Sequence, residues 1–231
     1  MYAVNLHFPY GHLVKTNDVS STHRHNDLWQ ASSNKLDWEA RYLHPQRYNA
    51  LNLTFVNEKA CKEEVSFPLF STRFCEELIE TAENYGKWSK GTEKSNSYED
   101  HHKNIPTERI YLKEIGFEKE WTHIFKKHIA PKIKISNHGY ENKTKAISSF
   151  IVTFKPGLQS YLDSNIISSS PIVIITLSSL HLQKEKGENC FGFSPEIGWT
   201  SIFLRTNRTN FNHKNLFRVE ENIYLLVSVF D

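Results

Sequence analysis

Ile147-Ser-Ser-Phe-Ile-Val-Thr-Phe154 decides the fold class, because its β-branched and aromatic residues suit a pleated, half-buried surface. Three runs of the same kind follow it, Ile172 to Leu177, Trp199 to Leu204 and Ile223 to Phe230, and all four read as strands. Upstream the period changes to that of a helix. From Ser71 onward Phe74, Leu78, Ile79, Ala82 and Tyr85 recur at helical intervals, with Ser71 or Thr72 as N-cap and Gly86 as the stop. A second helix is predicted from Phe117, Trp121, Ile124, Phe125 and His128, with Pro131 ending it and His128 at the edge of the core. Helices first and antiparallel strands afterwards predict an α+β domain whose sheet is built late in the chain. The first sixty residues, rich in His, Asn and Trp, keep no sustained period, so a boundary is expected between residues 56 and 66.

Composition agrees with a packed domain. Hydrophobic residues make up 39% of the 231 and aromatics 13%, with nine Gly and eight Pro, a balance that fits neither a disordered nor a fibrous chain. Lys and Arg total 28 against 26 Asp and Glu, and the net charge of +2 with no block of one sign gives no footprint for nucleic acid. The longest apolar stretches fall far short of the ~20 residues that a membrane-spanning helix needs. The start, Met1 to Tyr10, lacks the basic residues and continuous apolar centre of a secretory signal. Sequons at Asn52, Asn142 and Asn207 are candidate glycosylation sites for a lumenal protein. Cys61, Cys75 and Cys190 permit at most one internal disulfide.

Short motifs point to no enzyme by themselves. His25-Asn-Asp27, preceded by His23, has the spacing of two ligands in a non-heme iron site. Such ligands normally project from a sheet, whereas this segment has turn-like composition and precedes every predicted strand, so a polar loop is the better reading. His101 and His102 lie in a strongly hydrophilic stretch that reads as solvated loop. The chain has no glycine-rich phosphate loop, Cys-x-x-Cys pair, His-Glu-x-x-His helix or Gly-x-Ser-x-Gly elbow.

A longer ordered series is more specific. Thr22-His-Arg-His-Asn-Asp-Leu-Trp29, Asp37-Trp38 and Tyr42-Leu-His44 resemble the segment just before the hydroxylase domain of procollagen lysyl hydroxylases. The resemblance continues through Phe67-Pro-Leu-Phe70, Phe74-Cys-Glu-Glu-Leu78, Tyr85-Gly-Lys-Trp-Ser89, Asn104-Ile-Pro-Thr107 and Gly116-Phe-Glu118 with Trp121. It ends with Phe150 to Pro156, Gly198-Trp199 and Val227-Ser-Val-Phe-Asp231, so it covers essentially the whole chain. It implies a double-stranded β-helix (jelly-roll) domain with flanking helices over residues 63–231. Residues 1–62 then correspond to the tail of an accessory, glycosyltransferase-like domain, which accounts for His23, His25 and Asp27 outside the iron site. The pairing implied by the family is Cys75 with Cys190, leaving Cys61 free.

In that family Fe(II) is held by His-x-Asp and a distant His, and an Arg grips the far carboxylate of 2-oxoglutarate, with ascorbate as a further cofactor. Ungapped alignment from Phe150 to Pro156 puts Asn165 and Ile167 at the first two ligand positions. Working back from Tyr224 to Ser228 puts His213 at the distal ligand and Ile223 at the Arg. Phe154 stands for a family Tyr and Ile174 for a family Asn, both cosubstrate positions. An alternative register recovers a carboxylate at Asp163, with Tyr161 in place of the first His, at the expense of the match at Leu162 and Leu177.

An aliphatic side chain offers iron no lone pair and a dicarboxylate no counter-charge. The expectation is therefore a catalytically inactive relative, a pseudoenzyme with no cofactor of its own, in the endoplasmic reticulum by resemblance. It would keep the fold for binding collagen chains or for dimerising with itself or with an active lysyl hydroxylase. The alternative is an active procollagen-lysine 5-dioxygenase using Asp163 and His213. Glycosyltransferase activity, carried by N-terminal domains in some family members, is not expected from this stretch.

Overall fold

The computed structural model describes residues 24–47, 64–90, 108–136, 146–155, 172–178, 196–203 and 222–230. Among them seven strands form one sheet: β1 (Glu64–Pro68), β2 (Ser89–Lys90), β3 (Glu108–Tyr111), β4 (Ala146–Phe154), β5 (Ile172–Thr176), β6 (Trp199–Phe203) and β7 (Ile223–Phe230). Their order is β1-β6-β5-β7-β4-β3-β2, and every pairing is antiparallel. The last strand thus closes between two earlier ones, the interleaving of a jelly roll. The α+β, double-stranded β-helix expectation holds. The short strands β1, β2 and β3 precede the late sheet expected from sequence and were not foreseen, because none carries a run of β-branched and aromatic residues like those of the four later strands.

Side-chain alternation divides this sheet into two faces. Ile151, Val173, Ile175, Ile202 and Leu226 join one large core with the helices, while Phe150, Val152, Ile172, Ile174, Ile223 and Leu225 belong to a second apolar cluster. On the helical side lies α2 (Thr72–Tyr85), capped as its sequence predicts: Ser71 Oγ accepts from the Phe74 N–H at 3.3 Å, and Gly86 ends it at φ 65°. Next come α3 (Glu118–Ile124), a π-helical turn over Phe125–Ile129, and α4 (Ala130–Ser136). The Trp121 indole donates to Ser228 Oγ at 3.1 Å, and Ser228 is bonded in turn to Ser149 at 2.9 Å, which ties α3 to β7 and β4.

Pro131 does not end the second helix. It sits in the first turn of α4, just after the π turn, where Ala130 N–H bonds to Phe125 O instead of the usual fourth carbonyl back. A proline needs no N–H in a first turn, and the widened ladder relieves the clash its ring would otherwise make. His128 lies on that π turn, half-buried against Glu39.

Residues 24–47 hold structure that periodicity missed: a 3-10 turn at Asn26–Gln30 and α1 (Lys35–Tyr42). Leu28, Trp38, Tyr42 and Leu43 are buried in the same core as Phe74 and Phe117, and Trp38 meets the Phe74 ring edge-on at 6.0 Å. Three polar anchors accompany them. Glu120 accepts from the Ser32 N–H at 2.7 Å and from its hydroxyl at 2.8 Å. The Tyr42 hydroxyl donates to Glu77 at 2.7 Å, and Arg73 donates to the same carboxylate at 2.7 Å. Glu39 accepts from Lys127, with His128 Nε2 3.5 Å away. Burial pulls the Glu39 carboxyl upward, but the Lys127 hydrogen bond and charge, with His128 and Arg47, outweigh it and hold it below its usual range. Burial also pushes His128 down to about 4, and the Glu39 charge offsets this only in part.

Gly198 links these layers. At φ 80° it lies in the left-handed region, and a Cβ there would stand 2.1 Å from the Phe70 carbonyl oxygen. Its N–H donates to Thr176 O at 2.8 Å, and its carbonyl accepts from Leu69 and Phe70 at 3.1 and 3.0 Å.

Two outcomes follow for stability. Gly198→Ala combines a strained φ with a backbone collision and should lower unfolding stability by about 3 kcal/mol or more; an unchanged urea midpoint would contradict the packing. His128 keeps its proton less readily when folded than when unfolded, so stability should fall as pH drops from about 6.5 towards 4, by on the order of 1 to 3 kcal/mol. The Glu39 contribution is lost only further down, as pH falls below 4.5 through its lowered value. Urea unfolding of His128→Gln across pH 4 to 7 should therefore give a flatter profile than the unsubstituted chain, and an equal slope would rule His128 out as the cause.

Candidate functional site

The face of the sheet turned away from the helices carries the positions of interest. On β4 it presents Phe150, Val152 and Phe154, on β5 Ile172 and Ile174, and on β7 Ile223, Leu225 and Val227, all in one buried cluster with Tyr111 and Val229 packed against it. Antiparallel register brings them side by side: Phe154 pairs with Ile223, Val152 with Leu225, Phe150 with Val227, and Ile174 with Val227 from the other side. Each central strand supplies alternate residues to this face, which is why unbroken β-branched runs such as Ile172-Val-Ile-Ile175 were required. At its border the Tyr111 ring meets Phe150 edge-on at 5.7 Å, and the Arg109 guanidinium lies 5.8 Å from the centre of the Phe150 ring.

Three of the predicted cosubstrate positions fall here together. Phe154, Ile174 and Ile223 are 3, 2 and 5% exposed, and none of these side chains has a donor or acceptor to offer. The face can pack apolar groups and exclude water; at these positions it has nothing with which to orient an anion. The other predicted site residues, Asn165, Ile167, His213 and Asp163, lie outside the described residues, as do Asn52, Asn142, Asn207, Cys61, His101 and His102.

Cys75 is buried and carries a free thiol among the described residues; Cys190, its partner in the pairing implied by the resemblance, lies outside them. The thiol points at the Thr176 carbonyl, 3.9 Å away, and burial, with the nearby Glu76 charge, pushes it up to about 12. A thiol held so far from its ionised form is a packing group, not a nucleophile.

The His-x-Asp triplet near the N-terminus does not converge on anything. His25 Nε2 is 2.7 Å from Glu80, whereas Asp27 pairs with Arg41. Among the described residues no group of three or more His, Cys, Asp and Glu side chains is arranged to hold a metal ion. Sequence reasoning missed the Glu39–Lys127–His128 and Tyr42–Glu77–Arg73 clusters, because Glu39 lies 88 positions from Lys127 and Tyr42 lies 35 from Glu77.

No family model matches the chain. Among curated proteins it is 34% identical over 237 aligned residues to procollagen-lysine,2-oxoglutarate 5-dioxygenase 1 of Gallus gallus, covering 100% of this chain and 32% of that protein. The Homo sapiens protein of the same name is 32% identical with the same coverage. The multifunctional procollagen lysine hydroxylase and glycosyltransferase LH3 of Rattus norvegicus is 30% identical over 96% of this chain and 30% of its own length. Among solved structures, a viral collagen prolyl hydroxylase from Paramecium bursaria Chlorella virus-1, in complex with 2OG, aligns at TM-score 0.49 and 14% identity over 73% of this chain and 96% of that one. The chain spans about a third of the length of the curated relatives it matches. Across all of its own length, this chain is a homologue of the procollagen lysyl hydroxylases.

Proposed function

We propose that this chain is a non-catalytic relative of the lysyl hydroxylases, which keeps their jelly-roll fold but neither iron nor 2-oxoglutarate. One observation carries the reading: Phe154, Ile174 and Ile223, at the positions where the family grips its cosubstrate, form part of a continuous buried apolar face. A dicarboxylate bound there would lose its hydration without gaining a counter-charge. An unpaired buried carboxylate is far more costly than the weak attraction of an aliphatic surface can offset. An arginine fork supplies two parallel charge-assisted hydrogen bonds, and isoleucine replaces both with nothing.

The iron positions support the same reading from sequence. Asn165 and Ile167 stand for His and Asp, leaving His213 as the retained ligand. Fe(II) of this class needs two imidazoles and a carboxylate on one side of the ion, and the loss of even an outer-shell partner typically costs ~10 to 100 fold in affinity or activity. The aliphatic residues make a stable substitute: each buried Ile or Leu contributes ~1.5 to 3 kcal/mol of transfer free energy. In this reading the fold serves as a binding or dimerisation module for collagen chains, for a second copy, or for an active lysyl hydroxylase. The compartment that suits such partners is the lumen of the endoplasmic reticulum.

Calorimetric titration of the folded full chain with Mn(II), then with 2-oxoglutarate, should give no saturable heat for either. Micromolar affinity for the pair would overturn the proposal. Ile223→Arg supplies the family's cation to an apolar cluster that has no carboxylate among its described members, and should destabilise the chain by roughly 3 kcal/mol or more. An Ile223→Arg chain of unchanged stability that binds 2-oxoglutarate would mean that the remainder of the grip survives.

A further inference from the structure

We propose that residues 24–47 act as a strap whose docking fixes the end of β5 at the candidate site, acting through the backbone of Leu69, Phe70 and Gly198. This stands independently of the loss of catalysis, since it rests on hydrogen bonds between main-chain atoms.

The connection is short and continuous. At the end of α1 the strap meets the segment between β1 and α2: Leu43 and Phe70 form an isolated antiparallel bridge, His44 N–H donates to Leu69 O at 2.8 Å, and Ser71 N–H donates to Tyr42 O at 2.9 Å. Ser71 Oγ also donates to Arg41 O at 3.0 Å while serving as the N-cap of α2. Leu69 and Phe70 are then bound from the far side by a single carbonyl, that of Gly198, and the Gly198 N–H holds Thr176 O at 2.8 Å. Thr176 is the last residue of β5 and follows Ile172 and Ile174 on the same side of the strand. Four elements are thus traversed, and each link is a main-chain bond of 2.8 to 3.1 Å.

Two features make this more than proximity. The collision that any Cβ at residue 198 would make with Phe70 O means that the two backbones are in contact, so a shift of Phe70 must move Gly198. The strap is also heavily committed at both ends of its docking surface, with Leu28 and Tyr42 fully buried and Glu77, Glu120 and Lys127 as polar anchors on α2, α3 and the π turn. Loosening it therefore removes the support on one side of Leu69 and Phe70 while the β4–β3 side of the sheet keeps its own ladder.

Amide exchange in the full-length chain distinguishes coupling from mere packing. Leu28→Ala, at a strap residue distant in sequence from the bridge, should speed exchange of the Leu69, Phe70 and Gly198 amides by about 10-fold or more, and leave the β3–β4 ladder within a few-fold of the unsubstituted chain. Wild-type protection at Gly198 in that variant would overturn the proposal, and so would an equal acceleration of every ladder, which reports global opening. Should Leu28→Ala fail to fold, Tyr42→Phe, which removes only the hydroxyl bonded to Glu77, is read by the same criteria.

Discussion

The contact on which the rest of this structure depends is between two stretches of backbone, Gly198 against Phe70. The turn into β6 passes so close to Leu69 and Phe70 that only a residue without a Cβ fits, and only one comfortable at φ 80° can make the turn. In exchange, one residue satisfies three partners: Thr176 O through its N–H, and the Leu69 and Phe70 amides through its carbonyl. Buried backbone groups at a strand end have no ladder to satisfy them, so such a node decides whether β1, β5, β6 and α2 can meet at all. The aromatic stack of Phe70 on Phe74, centroids 4.0 Å apart, then continues the contact into the helical layer.

From that node the sheet extends with two unlike faces. One is the floor of a core shared by α2, α3, α4 and the strap; the other is a compact apolar cluster that contains Phe154, Ile174 and Ile223, the cosubstrate positions expected from the resemblance. Strand alternation ensures that changes at Phe154, Ile174 and Ile223 accumulate on a single face and leave the helical packing untouched. In the proposed reading, a jelly roll loses its polar site in this way while its folding determinants persist. The aliphatic replacements add apolar burial where desolvated polar groups would otherwise need partners.

Much of this was legible in the chain, and the limits have physical causes. The strands β4, β5, β6 and β7 were readable from their β-branched and aromatic runs, and the helix α2 from its sustained period and from Ser71 and Gly86, which mark the caps. The sequence also shows the chemistry at Ile174 and Ile223, since isoleucine has no donor in any environment. What stayed hidden was tertiary. Residues 24–47 lack a sustained period because α1 is short, with Trp38 and Tyr42 as the apolar residues of its buried face, while Leu28 and Leu43 are buried outside it. Pro131 was expected to end its helix, and the π turn that accommodates it has no local signature. Glu39, Lys127 and His128 form one cluster only because the strap crosses the π turn.

The central proposal is that apolar side chains stand where the family grips its dicarboxylate, on a sheet that keeps its packing. Its most direct measure is turnover: purified, folded chain incubated with Fe(II), ascorbate, 2-oxoglutarate and a collagen-like lysine peptide, followed for succinate and hydroxylysine. The account predicts neither product above a protein-free control. Succinate and hydroxylysine released in equal amounts would contradict it.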